Sequence, residues 1–258
     1  MKRILAMMVA LMLCLCAVGL AEADSDLAYV KGNGKLVVGI TDFAPMDYKN
    51  EAGEWIGFDA DLAKAFAASL GVEVEFIEID WDNKIMELDN KSIDVVWNGM
   101  TLTEDVKAAM ETSNAYANNA QVLIVPKDVA DQYQTAESIN GLTIAVENGS
   151  SGDEVVTALG IEPTRVATQA DTLMEVSAGT SDAAVIDSLM AAAMVGEGTS
   201  YANLTYTVGL ASELYGVGFR KGSDLAAALN DFFKAAYDDG TMMTLAETYG
   251  VQAAIIAQ

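Results

Sequence analysis

Small polar residues follow the ends of short apolar segments in this chain. Asp187 follows one of them, and the segment Ile93–Trp97 is followed by Asn98, Gly99 and Thr101. If these segments are strands of an open α/β sheet, the polar residues lie at carboxyl ends, where such sheets bind ligands in a crevice. Amide, hydroxyl and carboxylate groups there could hold a small polar ligand, with Asp187 offering a charge-assisted hydrogen bond.

The same residues also have ordinary structural explanations. Asp187 could cap a helix predicted from Ser188 to Val195, because aspartate is favoured at helix N-caps. Asn98 and Thr101 could simply form a turn, since small polar residues are common in turns. Capping and ligand binding are compatible for Asp187, because a residue between a strand end and a helix faces the crevice.

Two serines follow a third apolar segment, Leu142–Val146. Ser151 and Glu154 have the spacing of a capping box, which is a sufficient structural reason for a hydroxyl residue here. The free N–H groups around Ser150 and Ser151 could instead hold an anion such as a carboxylate. The acidic residues Asp153 and Glu154 weaken that attraction to the helix N-terminus. The sequence leaves both alternatives open.

The composition excludes several kinds of chemistry. The chain has no histidine, so it lacks the commonest metal ligand and the commonest general base near neutral pH. Its two cysteines, Cys14 and Cys16, lie in a segment that is predicted to be removed, which leaves no thiol nucleophile. The formal net charge of −24 disfavours nucleic acid and anionic membrane surfaces as partners. We therefore predict no cofactor, no metal and no nucleic-acid partner.

Residues 1–23 have the pattern of a secretory signal peptide. Met1-Lys2-Arg3 is basic, Ile4–Leu20 is apolar, and Ala21-Glu22-Ala23 is an A-x-A cleavage site. A membrane anchor is the alternative, because the apolar stretch is nearly long enough to span a bilayer. Each cysteine follows a leucine rather than a small residue, so lipid attachment is not expected. The sequence therefore predicts export to a periplasm or to the cell surface.

The middle of the chain alternates between strand and helix patterns. Lys35–Ile40, Val72–Ile77 and Ile93–Trp97 have the patterns of short strands. Between them, Asp59–Leu70 and Trp81–Leu88 have the patterns of helices. This succession predicts a mostly parallel sheet with right-handed crossovers, and hence an α/β fold.

A second, similar set of strands and helices is predicted from Leu142 onward, with a late strand at Val217–Phe219. Two such sets without a low-complexity linker predict two lobes with a ligand cleft between them. We assign residues 24–115 and 216–258 to lobe 1 and residues 121–212 to lobe 2. The hinges are predicted near residues 116–120 and 213–215.

Short motifs occur in a characteristic order along nearly the whole mature chain. They are Gly57-Phe-Asp-Ala-Asp-Leu-Ala, Ser92-Ile-Asp-Val-Val, Gly99-Met-Thr-Leu-Thr, Gly149-Ser-Ser, Asp182-Ala-Ala-Val-Ile-Asp187 and Gly240-Thr241. This ordered set resembles the polar amino-acid-binding proteins that serve ABC importers, the bacterial extracellular solute-binding proteins of family 3. The resemblance implies a type II periplasmic-binding-protein fold, in which two α/β lobes close over a ligand.

The resemblance also implies roles for the candidate residues. Asp187 would receive an ammonium group of the ligand, and the Asn98 and Thr101 side chains would contact the ligand together with the Gly99 carbonyl. Trp81 would form an aromatic wall, although a tryptophan at a helix start could equally pack in the core. The complete predicted set is Asp42, Phe43, Trp81, Asn98, Gly99, Thr101, Glu147, Ser150, Ser151 and Asp187.

One position departs from the family pattern. Where the resemblance implies an arginine that pairs with the α-carboxylate of the ligand, this chain has Val106. Valine cannot form that bidentate pair, and the neighbouring Lys107 lies about 100° away around the helix. With Asp42, Asp187 and Glu147 facing the cleft, the site would be net negative. We therefore expect a cationic or amine-bearing ligand whose α-carboxylate is absent or weakly held.

The resemblance thus predicts an extracytoplasmic solute-binding protein that captures a small amine-bearing solute by lobe closure. It would work as a monomer and deliver the solute to the membrane subunits of an ABC importer. An enzyme resembling the cyclohexadienyl dehydratases is an alternative, with Glu147 or Asp42 as a general acid. The missing arginine would make its dicarboxylic substrates harder to hold. A ligand-sensing subunit that acts through a separate receptor is a third alternative.

Overall fold

The computed structural model describes residues 25–258. The predicted signal peptide, its alternative as a membrane anchor, and both cysteines lie outside the described residues. Within residues 25–258, no helix combines the length and the apolar character needed to cross a bilayer.

Strands and helices alternate along the described chain. The strands are β1 Lys35–Ile40, β2 Tyr48–Lys49, β3 Trp55–Ile56, β4 Glu73–Glu78, β5 Val95–Thr101, β6 Glu111–Thr112, β7 Ala117–Pro126, β8 Ile144–Glu147, β9 Thr164–Val166, β10 Ala183–Asp187 and β11 Leu204–Phe219. The helices are α1 Asp26–Asn33, α2 Phe58–Leu70, α3 Lys84–Asp89, α4 Glu104–Ala109, α5 Ser151–Ala158, α6 Gln169–Ala178, α7 Ser188–Met194, α8 Leu225–Asp238 and α9 Thr241–Thr248. Short 3-10 turns occupy Trp81–Asn83, Ala130–Gln132 and Ala136–Ile139.

The main sheet consists of two parallel groups of strands joined through an antiparallel centre. Its order is β4-β1-β5-β11-β7-β10-β8-β9, and β6 pairs with β11. Strand β1 is parallel to β4 and β5, and β8 is parallel to β9 and β10. Strands β7 and β11 run antiparallel to each other between the two groups. The predicted α/β fold with parallel strand–helix–strand units is confirmed.

Helix α2 shows how the sequence pattern places the core. Phe58, Leu62 and Phe66 recur at helical spacing and are fully buried. The helix ends at Gly71, which has a left-handed φ of 76° and donates its N–H to the Ala67 carbonyl. A glycine in this conformation closes a helix because it has no Cβ to clash. The prediction of a helix that ends at Leu70 is confirmed.

The last strand is much longer than predicted. The sequence pattern indicated a strand only at Val217–Phe219, whereas β11 begins at Leu204. The first half of β11 mixes exposed and half-buried residues, so it lacks an apolar run that could have marked it. Pairing with β7, interrupted by irregularities around Gly209, keeps this half in the sheet. Backbone hydrogen bonds, rather than side-chain burial, therefore extend the strand.

The strand before the first polar motif is also shifted from its predicted position. It was expected at Ile93–Trp97, but β5 runs from Val95 to Thr101. Asn98, Gly99 and Thr101 therefore lie within the carboxyl-terminal half of the strand rather than after it. Pairing with β11 accounts for the extension, because Tyr215 lies opposite Thr101.

The fold is two-lobed, with a cleft on the carboxyl-end side of the parallel strands. The two predicted hinge segments pair with each other in the sheet, since Ala117 lies opposite Tyr215 and Asn119 lies opposite Glu213. The residue boundaries of the lobes and their hinges remain a prediction.

Candidate ligand-binding cleft

A cleft that is partly open to solvent lies between the β5 end of the sheet and the loops after β8 and β10. Most of the predicted ligand-binding residues line it. These are Trp81, Asn98, Gly99, Thr101, Glu147, Ser150, Ser151 and Asp187. Lys84, Val106 and Gln169 also line it, among residues that the sequence had not marked for ligand binding. The structure therefore brings residues from four separate strand ends to one place.

Asp42 and Phe43 do not line this cleft. Asp42 is exposed, whereas Phe43 is only 2% exposed and packs edge-on against Tyr215, with ring centroids 6.4 Å apart. A tight turn directs the Phe43 ring inward, because its N–H donates to the Asp47 carbonyl and its carbonyl accepts the Met46 N–H. Phe43 therefore lies in the core behind the cleft.

The β5 wall of the cleft is held in place from behind. The Asn98 side chain accepts the Thr41 N–H at 3.0 Å and donates to the Thr41 hydroxyl at 2.7 Å. The Gly99 N–H donates to the carboxylate of Asp59 at 2.7 Å, and the Tyr116 hydroxyl donates to the same oxygen at 2.7 Å. These buried bonds fix the backbone that faces the cleft. The amide of Asn98 is thus already committed to a structural pair.

Asp187 is surrounded by neutral hydrogen-bond donors. Its carboxylate accepts bonds from the side chains of Gln121 at 3.1 Å and Tyr215 at 2.6 Å, and also from Asn119 and Gln169. Its side chain makes no capping bond to helix α7, although that helix begins at the next residue. Burial raises the pKa of Asp187 to about 7, and the nearby charge of Glu213 also raises it, while the hydrogen bonds from Tyr215 and Gln169 oppose the shift. The hydrogen bonds therefore orient the Asp187 side chain beside the cleft, and the side chain does not cap helix α7.

Glu147 is the last residue of β8 and is 3% exposed. One of its carboxylate oxygens, Oε1, has no hydrogen-bond partner in the described part of the chain. Burial raises the pKa of Glu147 to about 8, and the nearby charge of Asp187 raises it further. Lys84 opposes this shift through its positive charge but does not form an ion pair with Glu147. Glu147 is therefore a buried acid that lacks a cation.

Glu213 lies in β11 beside the cleft, next to the lining residues Thr101 and Ser151, and is 9% exposed. Its Oε2 accepts hydrogen bonds of 3.0 Å from each of Thr101, Asn119 and Gln121. Its Oε1 accepts the hydroxyl of Ser151. The amide groups of Asn119 and Gln121 each donate to Asp187 as well, so they bridge the two carboxylates.

The helix after β8 is capped by Ser150 and not by Ser151. The Ser150 hydroxyl accepts the Asp153 N–H at 3.2 Å, and helix α5 begins at Ser151. The capping-box prediction for Ser151 and Glu154 is therefore wrong by one residue. This shift frees the Ser151 hydroxyl, which donates to Glu213.

Lys84 lines the cleft, although the sequence had not marked it as a candidate site residue. It is 8% exposed, and its ammonium donates to the carbonyls of Gly149 at 3.0 Å and Trp81 at 3.2 Å. The same ammonium lies 4.8 Å from the centroid of the Trp81 ring, within reach of a cation–π attraction. The predicted helix Trp81–Leu88 in fact starts with a 3-10 turn, and α3 begins at Lys84. The Trp81-to-Lys84 spacing was the available signal, because residues three apart share a helix face.

Val106 stands where the family resemblance implies an arginine, and it contributes no charge to the cleft. Thr103 caps helix α4 as predicted, accepting the Val106 N–H at 3.2 Å. The Val106 side chain is 7% exposed and belongs to an apolar cluster with Trp81 and Met100. Both arginines of the described chain are paired elsewhere. Arg165 binds Asp153 and Glu162, and Arg220 binds Asp26 and Asp94.

Glu147 is expected to make the stability of the ligand-free protein depend on pH. Its pKa of about 8 lies above the ordinary value of 4.5 for a glutamate, so the folded protein binds an extra proton between these two pH values. The free energy of unfolding therefore falls as the pH rises through this window, by up to about 1.4 kcal/mol per pH unit for one group. Glu147→Gln removes this contribution, and urea unfolding from about pH 5 to about pH 8 should show a shallower decline.

Glu247→Gln is the matched control, because Glu247 is exposed on helix α9 and its side chain lies away from the cleft lining. Its variant should keep the pH dependence of the wild type. Equal pH slopes for Glu147→Gln and the wild type would contradict the assignment of a neutral, buried carboxyl to Glu147.

Comparison with known proteins identifies the family. The sequence profile of the bacterial extracellular solute-binding proteins, family 3, matches residues 36–252. The chain is 28% identical to the arginine-binding extracellular protein ArtP of Bacillus subtilis, over 95% of this chain and 96% of that protein. It is 32% identical to the histidine-binding periplasmic protein of Escherichia coli, over 80% of this chain and 84% of that protein.

Solved structures agree with the sequence relatives. A mutant of ArgBP from T. maritima superposes with a TM-score of 0.81 at 36% identity, covering 87% of this chain and 98% of that one. The ancestral amino acid-binding protein AncCDT-1, a precursor of cyclohexadienyl dehydratase, superposes with a TM-score of 0.80 at 32% identity, covering 87% and 99% of the two chains. The chain belongs to the bacterial extracellular solute-binding proteins of family 3.

Proposed function

We propose that this protein captures a small amine-bearing solute outside the cytoplasm and delivers it to an ABC importer. The solute would be an amino acid or an amino-acid-like cation, and its ammonium group would bind between Asp187 and Glu147. The relatives named for arginine and histidine binding support this class of ligand. The partners would be the membrane subunits of the importer, and the protein would work as a monomer.

One observation carries the proposal. Glu147, Asp187 and Glu213 lie in or directly beside the cleft, and none forms an ion pair with a lysine or arginine of residues 25–258. Buried carboxylates without a cation are costly, because the protein interior solvates charge poorly. A ligand ammonium would supply the missing charge and would donate to the free Oε1 of Glu147.

The cleft also offers a way to couple binding to closure. Asn98, Gly99 and Thr101 face it from the β5 side, and Glu147 and Asp187 face it from the other side. A ligand that contacts both sides would favour the closed arrangement, because it binds that arrangement better than an open one. We propose that residues 116–120 and 213–215 provide the hinge for this movement.

We propose that binding requires no chemical step. The relatives named above are binding proteins, and AncCDT-1 is itself an ancestral amino acid-binding protein. A dehydratase acting on dicarboxylic substrates would need several cations in the cleft, where the described residues offer Lys84 alone beside the carboxylates of Glu147 and Asp187. Turnover of prephenate or arogenate by the purified protein would contradict the proposal.

A thermal-shift panel tests the ligand class. We expect stabilisation by at least one of arginine, lysine, histidine, agmatine, cadaverine and histamine, and none by glutamate or succinate. A ligand at about 100 times its dissociation constant adds about 2.7 kcal/mol, which at this chain length raises the Tm by roughly 5–10 °C. A shift with glutamate but with none of the six amines would overturn the proposal.

A further inference from the structure

We propose that Glu213 is a built-in carboxylate that fills the part of the cleft where a ligand carboxylate would otherwise bind, so that the protein selects amines that carry no carboxylate. The inference rests on the proposed function and sharpens its ligand class. It assigns to Glu213 the role of a specificity-determining residue.

Two of the hydroxyl donors that line the cleft are already used by Glu213. Thr101 approaches from β5 and Ser151 from the start of α5, and both line the cleft. Each of these hydroxyls donates to the Glu213 carboxylate. A carboxylate gripped by hydroxyls from both sides of a cleft occupies the place that suits an anionic ligand group. Here the chain itself supplies that group.

The amide and ammonium donors near the cleft are largely occupied. The amides of Asn119 and Gln121 donate to Glu213 and Asp187. The ammonium of Lys84, the one lysine lining the cleft in the described chain, uses two of its three N–H groups on backbone carbonyls.

The hydroxyls of Ser150 and Thr103 also line the cleft, and each accepts a backbone N–H group, so each can still donate one hydrogen bond. Neither hydroxyl carries a charge that would balance a buried ligand carboxylate, and a poorly paired buried carboxylate is costly. A ligand carboxylate would therefore have to displace Glu213 or depend on these weaker donors.

The charges around the cleft also disfavour a ligand carboxylate, as the shortage of hydrogen-bond donors does. A carboxylate brought between Thr101 and Ser151 would meet the negative charges of Glu213 and Asp187. Val106 provides no compensating cation where the family pattern has an arginine. An ammonium group meets the opposite situation, because Glu147 lines the same cleft and has a buried oxygen without a hydrogen-bond partner among the described residues.

The position of Glu213 is fixed by the fold. It lies in β11 directly opposite Asn119 of β7, in the antiparallel centre of the sheet. Four side-chain donors hold its two oxygens, and its side chain is largely buried. Glu213 is thus held by the two central strands instead of by a mobile loop. Because it lies in the proposed hinge segment, between the lobe of Thr101 and the lobe of Ser151, it holds both hydroxyls in the closed arrangement.

Matched ligand pairs test the proposal in the wild-type protein. Agmatine, cadaverine and histamine differ from arginine, lysine and histidine only by the absent carboxylate. We expect calorimetric titration to show that the amine of at least one pair binds about tenfold or more tightly than its amino acid, a difference of about 1.4 kcal/mol. Equal or tighter binding of the amino acid in every pair that binds would overturn the role of Glu213. Absence of binding by all six would overturn the proposed function, and this inference with it.

Glu213→Gln probes the residue itself. Glutamine keeps the shape but removes the charge, so the preference for the amine should shrink by about tenfold. Glu247→Gln is the control and should keep the wild-type preference. An unchanged preference in a folded Glu213→Gln protein would overturn the assignment, and the ligand pairs in the wild type decide the matter if that variant does not fold.

Discussion

Asp187→Asn is expected to weaken the binding of agmatine, cadaverine or histamine, whichever the wild type binds, by about 100-fold or more. Removing one member of a buried, hydrogen-bonded charge pair costs 2–5 kcal/mol or more, roughly 30-fold to several thousand-fold. The effect should be large here because the donors around Asp187 are neutral. Gln121 and Tyr215 orient the carboxylate, but they do not balance its charge. Isothermal titration calorimetry measures the change directly.

The structure provides a control for that variant. Asp231 is exposed on helix α8 and its side chain makes no hydrogen bond among the described residues. Asp231→Asn should therefore bind as the wild type does. Because the new amide of Asp187→Asn would face several donors, its folding must be checked by urea unfolding. A folded Asp187→Asn protein with wild-type affinity would show that the ammonium binds elsewhere.

Arg220→Met is expected to lower the free energy of unfolding by about 3–5 kcal/mol, because it leaves buried carboxylates without their partner. The guanidinium binds Asp26 at 3.0 Å and Asp94 at 3.1 Å, and Asp94 is buried. It also donates to the carbonyls of Leu88 at 3.3 Å and Ile93 at 2.7 Å. This arginine ties helix α1 and the start of β5 to the end of β11. At this chain length the Tm should fall by roughly 6–20 °C in a thermal melt.

Arg165→Met is the matched comparison, because it removes the other described arginine. The Arg165 side chain is 36% exposed, and its partner Glu162 is more exposed still. Its other partner, Asp153, is buried but keeps hydrogen bonds from the Gly149 N–H and the Thr157 hydroxyl when the arginine is removed. Exposed ion pairs contribute about 1 kcal/mol or less. Equal losses of stability in the two variants would show that burial does not set the contribution of these arginines. Neither variant should change ligand binding, since neither arginine lines the cleft.

The sequence predicted the strands and helix caps that depend on residues close together in the chain. Strand β1 was expected at Lys35–Ile40 and occurs there, because a short buried run has few alternatives. Thr103 was expected as an N-cap and accepts the Val106 N–H. The strand ends that bring Asn98, Glu147 and Asp187 together followed from the general geometry of open α/β sheets.

The parts that the sequence did not reveal depend on distant partners. Glu213 and Thr101 are 112 residues apart in sequence, and nothing in either local segment indicates their hydrogen bond. Ser151 was assigned the wrong capping role because Ser150 offers the same chemistry one residue earlier. Lys84 looked like an ordinary surface lysine on an amphipathic helix. Its burial becomes visible only when Gly149 approaches from the other side of the cleft.

The position of Lys84 means that the cleft always contains a primary ammonium group, carried on a covalent tether. Its ammonium is held by the carbonyls of Gly149 and Trp81, so it attracts Glu147 without forming an ion pair with it. An incoming amine therefore meets a like charge near Glu147. Contacts that the lysine does not make, such as those to Asp187, must offset that repulsion. The resident lysine thus disfavours ammonium groups that cannot reach Asp187.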